Sequence, residues 1–385
     1  MLSFDATAIA SEAQQVSYVR FGADKEGGYQ RQVGLIVLVG HKTNMPVLFR
    51  VLPGNITDVT TVQDMLFRFG ELTGGKKVFA AVVDRGYFSQ ANIARFIDGG
   101  SRAIMAANLS SSWTREAVEE VMEHLWDSSA YDMDRHCWGC TVPMLKTFDD
   151  GIERRVWFHV YRSDAKTDTE TRNFYERLRR FQSDWMAWRP ARRQGAEECP
   201  LLKSPLMKYY RKGAGIPGRE PLQQDYDAIN HKIRYFGTFC NVTTMECTAW
   251  EAMVDYRARD MIEKTFKAGK SLLEMDAIRA HSDEVMEGRL IVSFCAMSIL
   301  NRIYTLMKRP TVRPMFRGKD RAVRPLSEEY SFSDIRDILD PTGIVFNSKG
   351  NGFWQEVTRI QHDIARRLGY PDLYKEVPDW HSLQK

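Results

Sequence analysis

The sequence lacks several features that would each assign it to a class. Its 385 residues include only six cysteines, and its net charge is only +4. Six cysteines in a chain of this size do not predict a disulfide framework, and a reducing cytosol suits them better. No run of about 18 apolar residues occurs, so we expect no membrane span. The opening stretch, MLSFDATAIASEAQ, has no basic region followed by an apolar one, and a secretory signal is therefore not expected.

The small net charge excludes a chain that is basic throughout, so any contact with nucleic acid must come from local clusters. Residues 189–221 hold eight Lys or Arg against three Glu, together with Tyr209 and Tyr210. Residues 302–324 hold eight Lys or Arg against Asp320 alone. Such stretches suit contact with phosphates, and the tyrosines suit stacking on bases. A solvated basic loop is the alternative in both places.

A second local cluster is Cys137-Trp-Gly-Cys140, which follows His136. This spacing can bind zinc or perform redox chemistry. The sequence offers no second Cys or His pair at metal spacing. The pattern therefore favours thiols without a metal.

Residues 1–110 predict a three-stranded meander followed by alternating helices and strands. We expect strands at 2–8, 32–39, 46–52, 77–83 and 103–106, and helices at 58–71 and 90–98, the second capped by Ser89. Asp5 lies in the middle of the first strand, where an unpaired charge is unfavourable unless a partner such as a metal ion offsets it. Asp84 ends the fourth strand, at an edge where sites collect. A turn or helix cap is the alternative for Asp84.

The next stretch, 111–235, predicts an insertion, because a crossover connection is far shorter. We expect a strand near 155–161 and a helix near 169–188 inside it. A strand at 235–242 then leads into a central helix from Thr248 to Lys270. An apolar core helix at 288–302 and short helices between 327 and 375 complete the prediction.

The central helix has an unusual polar strip. Thr248 and Glu251 form a capping-box pattern at its start. At about 100° per residue, Tyr256, Arg259, Glu263 and Lys270 fall within about 60° of one another. An adjoining face of the helix is apolar, and we expect it to be buried. It consists of Val254, Met261, Ile262, Phe266, Leu272 and Leu273. A solvated face carrying an Arg259–Glu263 pair is the alternative.

The spacing Tyr-x2-Arg-x3-Glu-x6-Lys resembles the signature of the DDE transposases of bacterial insertion sequences, in the "IS four" group and its close relatives. The stretches around Asp5 and Asp84 resemble the first and second aspartate motifs of that family. The resemblance implies an α/β fold: a ribonuclease H-like mixed-sheet core, a β-rich insertion between the second and third acids, and C-terminal helices. It implies Asp5, Asp84 and Glu263 as catalytic and metal-binding residues, and Tyr256, Arg259 and Lys270 as DNA-binding residues.

The implied cofactor is Mg²⁺, as two ions with Mn²⁺ as a substitute, which agrees with the preference of these metals for oxygen ligands. The implied activity is cleavage at transposon ends and strand transfer into target DNA. The implied partners are double-stranded DNA, as inverted-repeat ends and target, and a second subunit in a homodimer. The implied location is the bacterial cytoplasm, at the nucleoid.

The resemblance also suggests a division into 1–110 and 236–305 as the two parts of the core, 111–235 as the insertion, and 306–385 as a basic segment with helices. Members of the family carry a substantial region before the first aspartate, whereas four residues precede Asp5. We therefore expect the usual N-terminal DNA-binding region to be missing. Two alternatives stay open: a metal-dependent nuclease of the same fold, and an inactive truncated relic or inhibitor that binds DNA.

Overall fold

A computed structural model describes residues 1–23, 28–41, 43–56, 61–74, 80–188, 199–214, 221–257, 259, 263, 266, 270, 277–309, 324–347, 352–375 and 377. The chain forms two compact units. The first consists of Met1–Thr57 and Arg259–Lys385, and the second of Asp58–Ala258. These boundaries differ from the predicted ones at 110 and 235, and the predicted division stays a proposal.

The strands in chain order are β1 Leu2–Ala10, β2 Arg20–Ala23, β3 Tyr29–Gly40, β4 Pro46–Pro53, β5 Ala80–Val83, β6 Arg102–Ala107, β7 Tyr131–Asp132, β8 Cys137–Thr147, β9 Glu153–Arg162, β10 Tyr210–Lys212, β11 Leu222–Gln224, β12 Thr238–Thr243, β13 Ile344–Phe346 and β14 Gly352–Trp354. The helices are α1 Val62–Leu72, α2 Gln90–Asp98, α3 Ser112–Val121, α4 Asp164–Ala187, α5 Tyr226–Ile233, α6 Ala249–Arg257, α7 Asp283–Met307, α8 Phe332–Leu339 and α9 Arg359–Arg367.

The first unit is built around β3, whose apolar run from Val33 to Val39 is buried. β1 pairs antiparallel along one edge of β3, with Asp5 opposite Val37. β2 and β4 pair with β3 along its other edge. Apolar side chains of β1, β3 and α7 form a common core, which includes Ile9 and Met286. The predicted meander is therefore present, and β2 is an additional short strand that the sequence did not indicate.

α7 is longer than the predicted 288–302 because Ser282 caps it, accepting a hydrogen bond from the Val285 amide. By length and composition alone it could cross a membrane, and among the described residues it is the one helix of which this is true. Core helices of water-soluble proteins pass the same test, and 33% of its apolar window is buried. Val292 and Ile299 are exposed, so the predicted core helix has one face in the core and another face exposed.

The second unit contains a mixed sheet in the order β5-β6-β12-β9-β8-β7. β5 and β6 are parallel and are connected through α2, whereas the other pairs are antiparallel. Ser89 accepts a hydrogen bond from the Asn92 amide at the start of α2, which confirms the predicted cap. An α/β architecture is therefore confirmed.

The insertion stretch has a core of its own around α4. Phe174, Leu178, Phe181 and Trp185 recur along one face of this helix and pack on buried residues that include Tyr210. The predicted helix is present but begins at Asp164, five residues earlier than expected. The predicted strand near 155–161 is β9, which pairs with β8 along its whole length.

All six cysteines lie among the described residues and are free thiols. Cys137 is buried and its thiol lies 3.1 Å from the Arg162 carbonyl oxygen. Burial raises the pKa of the Cys137 and Cys140 thiols. A raised pKa favours the protonated thiols, which are weaker nucleophiles than thiolates.

His159 on β9 is fully buried in the second unit. Its Nδ1 lies 3.0 Å from the Thr141 hydroxyl, and its Nε2 lies 2.9 Å from the Thr243 hydroxyl. Burial, assisted by the positive charge of Arg102, lowers the pKa of His159 from 6.5 to about 4. The imidazole is therefore neutral in the folded protein near neutral pH.

This burial predicts acid sensitivity. Between pH 6.5 and about 4 the unfolded chain protonates His159 and the folded chain does not, so the free energy of unfolding falls as the pH falls through this range. The difference between the two pKa values corresponds to about 3 kcal/mol. His159→Gln should remove that part of the pH dependence, measured as denaturant midpoints at pH 7.5 and pH 4.5. Exposed His124 provides the control through His124→Gln, and equal pH slopes in both variants would contradict the prediction.

Candidate active site

Asp5 is a buried carboxylate at the centre of β1, as the sequence predicted. Its Oδ1 accepts a hydrogen bond of 2.9 Å from the Ala6 amide. Its side chain is 9% exposed and forms an ion pair with Arg259, whose Nη2 lies 3.3 Å from Oδ2. A paired charge explains how the strand tolerates an acid at this position.

Arg259 brings two of the predicted acids together within the first unit. The same Nη2 atom lies 3.3 Å from Asp5 Oδ2 and 2.7 Å from Glu263 Oε1. Asp5 and Arg259 are 254 positions apart in sequence, so the contact is made by the fold. Glu263 is half exposed, at 55%, whereas Arg259 is 11% exposed. One cation thus joins a buried carboxylate to an accessible one.

Asp84 lies in the second unit, at the end of β5, as predicted. Its Oδ1 accepts a hydrogen bond of 2.7 Å from the Arg85 amide and so caps the short 3-10 turn Arg85–Tyr87. The cap that the sequence offered as an alternative is therefore real. This hydrogen bond is made by Oδ1, one of the two oxygens of the carboxylate.

Tyr256 and Asp84 meet within the second unit, where the Tyr256 hydroxyl lies 3.4 Å from Asp84 Oδ1. The ion pair between Arg102 of β6 and Asp255 of α6, at 3.3 Å, fixes the end of α6 beside β6. The fold therefore places a residue of the predicted DNA-binding strip next to the second predicted acid.

Lys270 contacts the backbone of β1. Its Nζ donates a hydrogen bond of 3.0 Å to the Ala8 carbonyl oxygen. A short bridge between Ala10 and Ala277 and the hydrogen bond from the Ile278 amide to the Ala10 carbonyl, at 2.8 Å, continue the attachment along β1. In this arrangement Lys270 positions the strand that carries Asp5, and its predicted contact with DNA stays a prediction.

The central helix differs from the prediction. Its capping box is confirmed, because the Glu251 amide donates to the Thr248 hydroxyl at 3.2 Å and the Thr248 amide donates to Glu251 Oε2 at 2.8 Å. α6 ends at Arg257, however, and Arg259 lies in a turn, so the prediction of one continuous helix to Lys270 is wrong there. Glu263, Phe266 and Lys270 are again helical.

The predicted apolar face is correct only in part. Phe266 is buried, as expected, whereas Val254 is 51% exposed. Met261, Ile262, Leu272 and Leu273 lie outside the described residues, as do parts of the two basic clusters, at 189–198, 215–220 and 310–323. The four polar residues of the strip are divided between the two units. Tyr256 belongs to the second unit, whereas Arg259, Glu263 and Lys270 belong to the first.

The donor set fits a hard divalent cation by its chemistry. Asp5 and Glu263 present carboxylate oxygens to one shared positive group, which is the ligand type that Mg²⁺ and Mn²⁺ prefer. Within the described part of the chain, no group of three or more His, Cys, Asp or Glu side chains is arranged to hold a metal ion. The structure thus shows two acids joined by a guanidinium, and a three-acid metal centre is a proposal.

Sequence reasoning missed the residues that hold the Asp84 turn. Asn92 is fully buried, and its side-chain amide donates a hydrogen bond of 2.9 Å to the Tyr87 carbonyl oxygen. Arg95 donates to the Asn92 side-chain oxygen at 2.9 Å. Asn92 is a polar residue on the apolar face of the predicted helix 90–98, and this is the sequence signal that could have identified these hydrogen bonds.

The chain matches the model of the transposase DDE domain over residues 2–299, a range that includes Asp5, Asp84 and Glu263. It therefore belongs to the transposase DDE domain family, a family that generally uses divalent metal ions. No curated protein matches the chain.

Among solved structures, the chain is similar to a piggyBac transposase, determined by cryo-EM as a synaptic complex with hairpin DNA. The identity is 6% and the TM-score 0.39. The match covers 100% of this chain and 55% of the piggyBac chain, so this protein spans about half the length of that one. Similarity at this level supports no conclusion about the activity of this chain.

Proposed function

We propose that this protein is a DNA transposase of the insertion-sequence type, in the "IS four" group, which cleaves transposon ends and transfers the cleaved strands into target DNA. Membership of the transposase DDE domain family supports the class. The observation that carries the assignment of the site is the bridge from Asp5 through Arg259 to Glu263, because it unites residues from distant parts of the chain around one cation.

In this proposal Asp5, Asp84 and Glu263 are the metal ligands. Two Mg²⁺ ions, or Mn²⁺ in their place, would activate the attacking water or 3′-hydroxyl and stabilise the leaving oxygen. The chain fixes the acids in advance: the Ala6 amide orients Asp5 and the Arg85 amide orients Asp84. Glu263, half exposed, is the acid that DNA can approach most directly.

The cationic and aromatic residues of the strip would contact DNA. The planar fork of Arg259 is suited to a phosphate once the acids are bound to metal ions. Tyr256 would donate to a phosphate or stack on a sugar or base. Double-stranded DNA, as transposon ends and target, is the proposed partner, and the proposed assembly on the ends is a homodimer. A ribonuclease H-like core, interrupted by the insertion 111–235 and followed by the basic segment and helices 306–385, belongs to the same proposal.

The test uses a plasmid that carries the genomic DNA flanking the gene, incubated with the protein and Mg²⁺ or Mn²⁺. Nicking at discrete sites that depends on the metal is the expected result. A pre-cut end fragment should then join to a second plasmid. Nicking without joining would favour the nuclease alternative, and binding without nicking would favour an inactive relic that retains DNA affinity.

Lys270 offers a finer test of the proposed DNA contact. If its ammonium group neutralises one phosphate, Lys270→Ala should reduce the slope of log affinity against log salt by about 0.9. The slope is measured by fluorescence anisotropy on a duplex that contains the cleaved end. A loss of thermal stability with an unchanged slope would show that Lys270 acts only by holding the Ala8 carbonyl.

A further inference from the structure

A cavity of about 600 Å³ opens in the second unit between α3, α4 and α5. Its volume lies within the range of small-molecule sites. It is separate from the acids described above, and the proposed function assigns it no role. Its lining combines three cationic side chains, Arg115, Lys208 and Lys232, with an aromatic wall.

The three cations have no acidic partner among the described residues. Arg115 Nε donates to the Leu109 carbonyl oxygen at 3.3 Å, and the two lysines lie over aromatic rings, Lys208 over Tyr209 at 5.1 Å and Lys232 over Phe236 at 5.7 Å. Neighbouring arginines of α4 behave differently, because Arg172 pairs with Asp168 and Arg180 pairs with Glu176. The cavity is therefore lined by three positive charges that no described acid neutralises.

Glu170, the one acid among the described residues of the lining, does not neutralise these cations. Glu170 accepts a hydrogen bond of 2.8 Å from the Gly237 amide and lies 3.7 Å from Lys166. With Arg115, Lys208 and Lys232 against Glu170, the described residues of the lining carry a net positive charge. Ser110 lines the cavity next to the N-terminus of α3, and the Ser111 side chain does not cap this helix. The partial positive charge of the helix N-terminus therefore lies on the same side of the cavity as Ser110.

The remaining wall suits a flat ring. Tyr209 and Phe236 are buried, and Tyr235 lies beside them with its hydroxyl donating to Glu119. Aromatic side chains provide large apolar contact area, and a heterocyclic base can pack against them. A lone inorganic anion would use the cations and leave this wall without a contact.

We propose that this cavity binds a nucleoside phosphate, with the phosphate among Arg115, Lys208 and Lys232 and the base against Tyr209, Tyr235 and Phe236. The ligand is either a nucleotide within a DNA strand or a free nucleotide, which share this chemistry. A nucleotide within a DNA strand would rest on the proposed function, because the insertion would then contact single-stranded DNA. A free nucleotide would be independent of the proposed function.

The test compares two double variants that each remove two positive charges from exposed positions of the same unit. Lys208→Ala/Lys232→Ala changes the cavity, and Arg177→Ala/Lys203→Ala is the matched control outside it. Binding of a fluorescein-labelled single-stranded oligothymidylate and of thymidine monophosphate is measured by anisotropy and calorimetry. The cavity variant should bind the oligonucleotide at least about tenfold more weakly, since hydrogen bonds to charged groups are strong, with little change in the control.

The two arms identify the source of the ligand. Thymidine monophosphate that binds the wild type and not the cavity variant identifies a free-nucleotide site. An effect on the oligonucleotide alone identifies a nucleotide within a strand. Equal losses in both double variants, or none in the cavity variant, overturn the proposal, provided that thermal melting shows both to be folded. Plasmid nicking by the same preparations is scored separately, so failure of the transposase proposal and failure of this site are distinguishable.

Discussion

Glu263→Gln is expected to reduce metal-dependent DNA cleavage by about 1,000-fold or more while leaving DNA binding and folding intact. A metal ion contributes several kcal/mol of transition-state stabilisation, and each 1.36 kcal/mol is worth about tenfold in rate. The amide keeps the shape of the side chain but is a much weaker ligand than a carboxylate. Because Glu263 is half exposed and Arg259 keeps its pair with Asp5, the fold should tolerate the change.

The measurement is the nicking rate at saturating Mn²⁺, together with anisotropy on the same DNA. Glu287→Gln is the matched control, since Glu287 is an exposed acid on α7 in the same unit. Cleavage retained by Glu263→Gln would remove this residue from the ligand set. A parallel loss of DNA binding would instead show that its main effect is on the contact surface.

The local elements of the fold were predictable because their signals are local. β1, β3 and β4 follow runs of apolar and β-branched residues, and Ser89 caps α2 through a hydrogen bond to a residue three positions away. The short hairpin of β13 and β14 had no such signal, because three-residue strands carry too little periodicity to identify.

The sequence indicated which residues to examine as a site, but with the exception of one pair it did not indicate which of them contact one another in the folded chain. Spacing alone placed Arg259 and Glu263 within reach of each other, as an i, i+4 pair. Nothing local indicates that Arg259 also reaches Asp5, because that contact depends on how β1 packs in the first unit. Helical geometry also assumes a continuous helix, and the turn at Arg259 breaks that assumption.

The roles of the strip residues change accordingly. A sequence reading assigns Arg259 and Lys270 to DNA because cations suit phosphates. In the folded chain both contact the region of β1 instead, through the Asp5 carboxylate and the Ala8 carbonyl. These two cations therefore support the strand that carries the first acid, whether or not they also meet DNA.

Arg259→Met should lower the free energy of unfolding by about 3–5 kcal/mol, because removal of one partner leaves the buried Asp5 charge uncompensated. Asp5→Asn/Arg259→Met removes both charges and should recover much of that loss. The measurement is the denaturant midpoint of each variant in EDTA. A loss as large in the double variant as in Arg259→Met would show that Arg259 stabilises the fold through packing and not through the ion pair.

The same variants test whether the two acids accept a divalent cation. If Asp5 and Glu263 can share a metal ion in place of the guanidinium, Mg²⁺ or Mn²⁺ should stabilise Arg259→Met, by about 1.4 kcal/mol at an ion concentration ten times the dissociation constant. Asp5→Asn/Arg259→Met lacks one ligand and should respond far less. Equal responses of the two variants to the metal would exclude Asp5 as a ligand, because binding elsewhere in the protein would then account for all of the stabilisation.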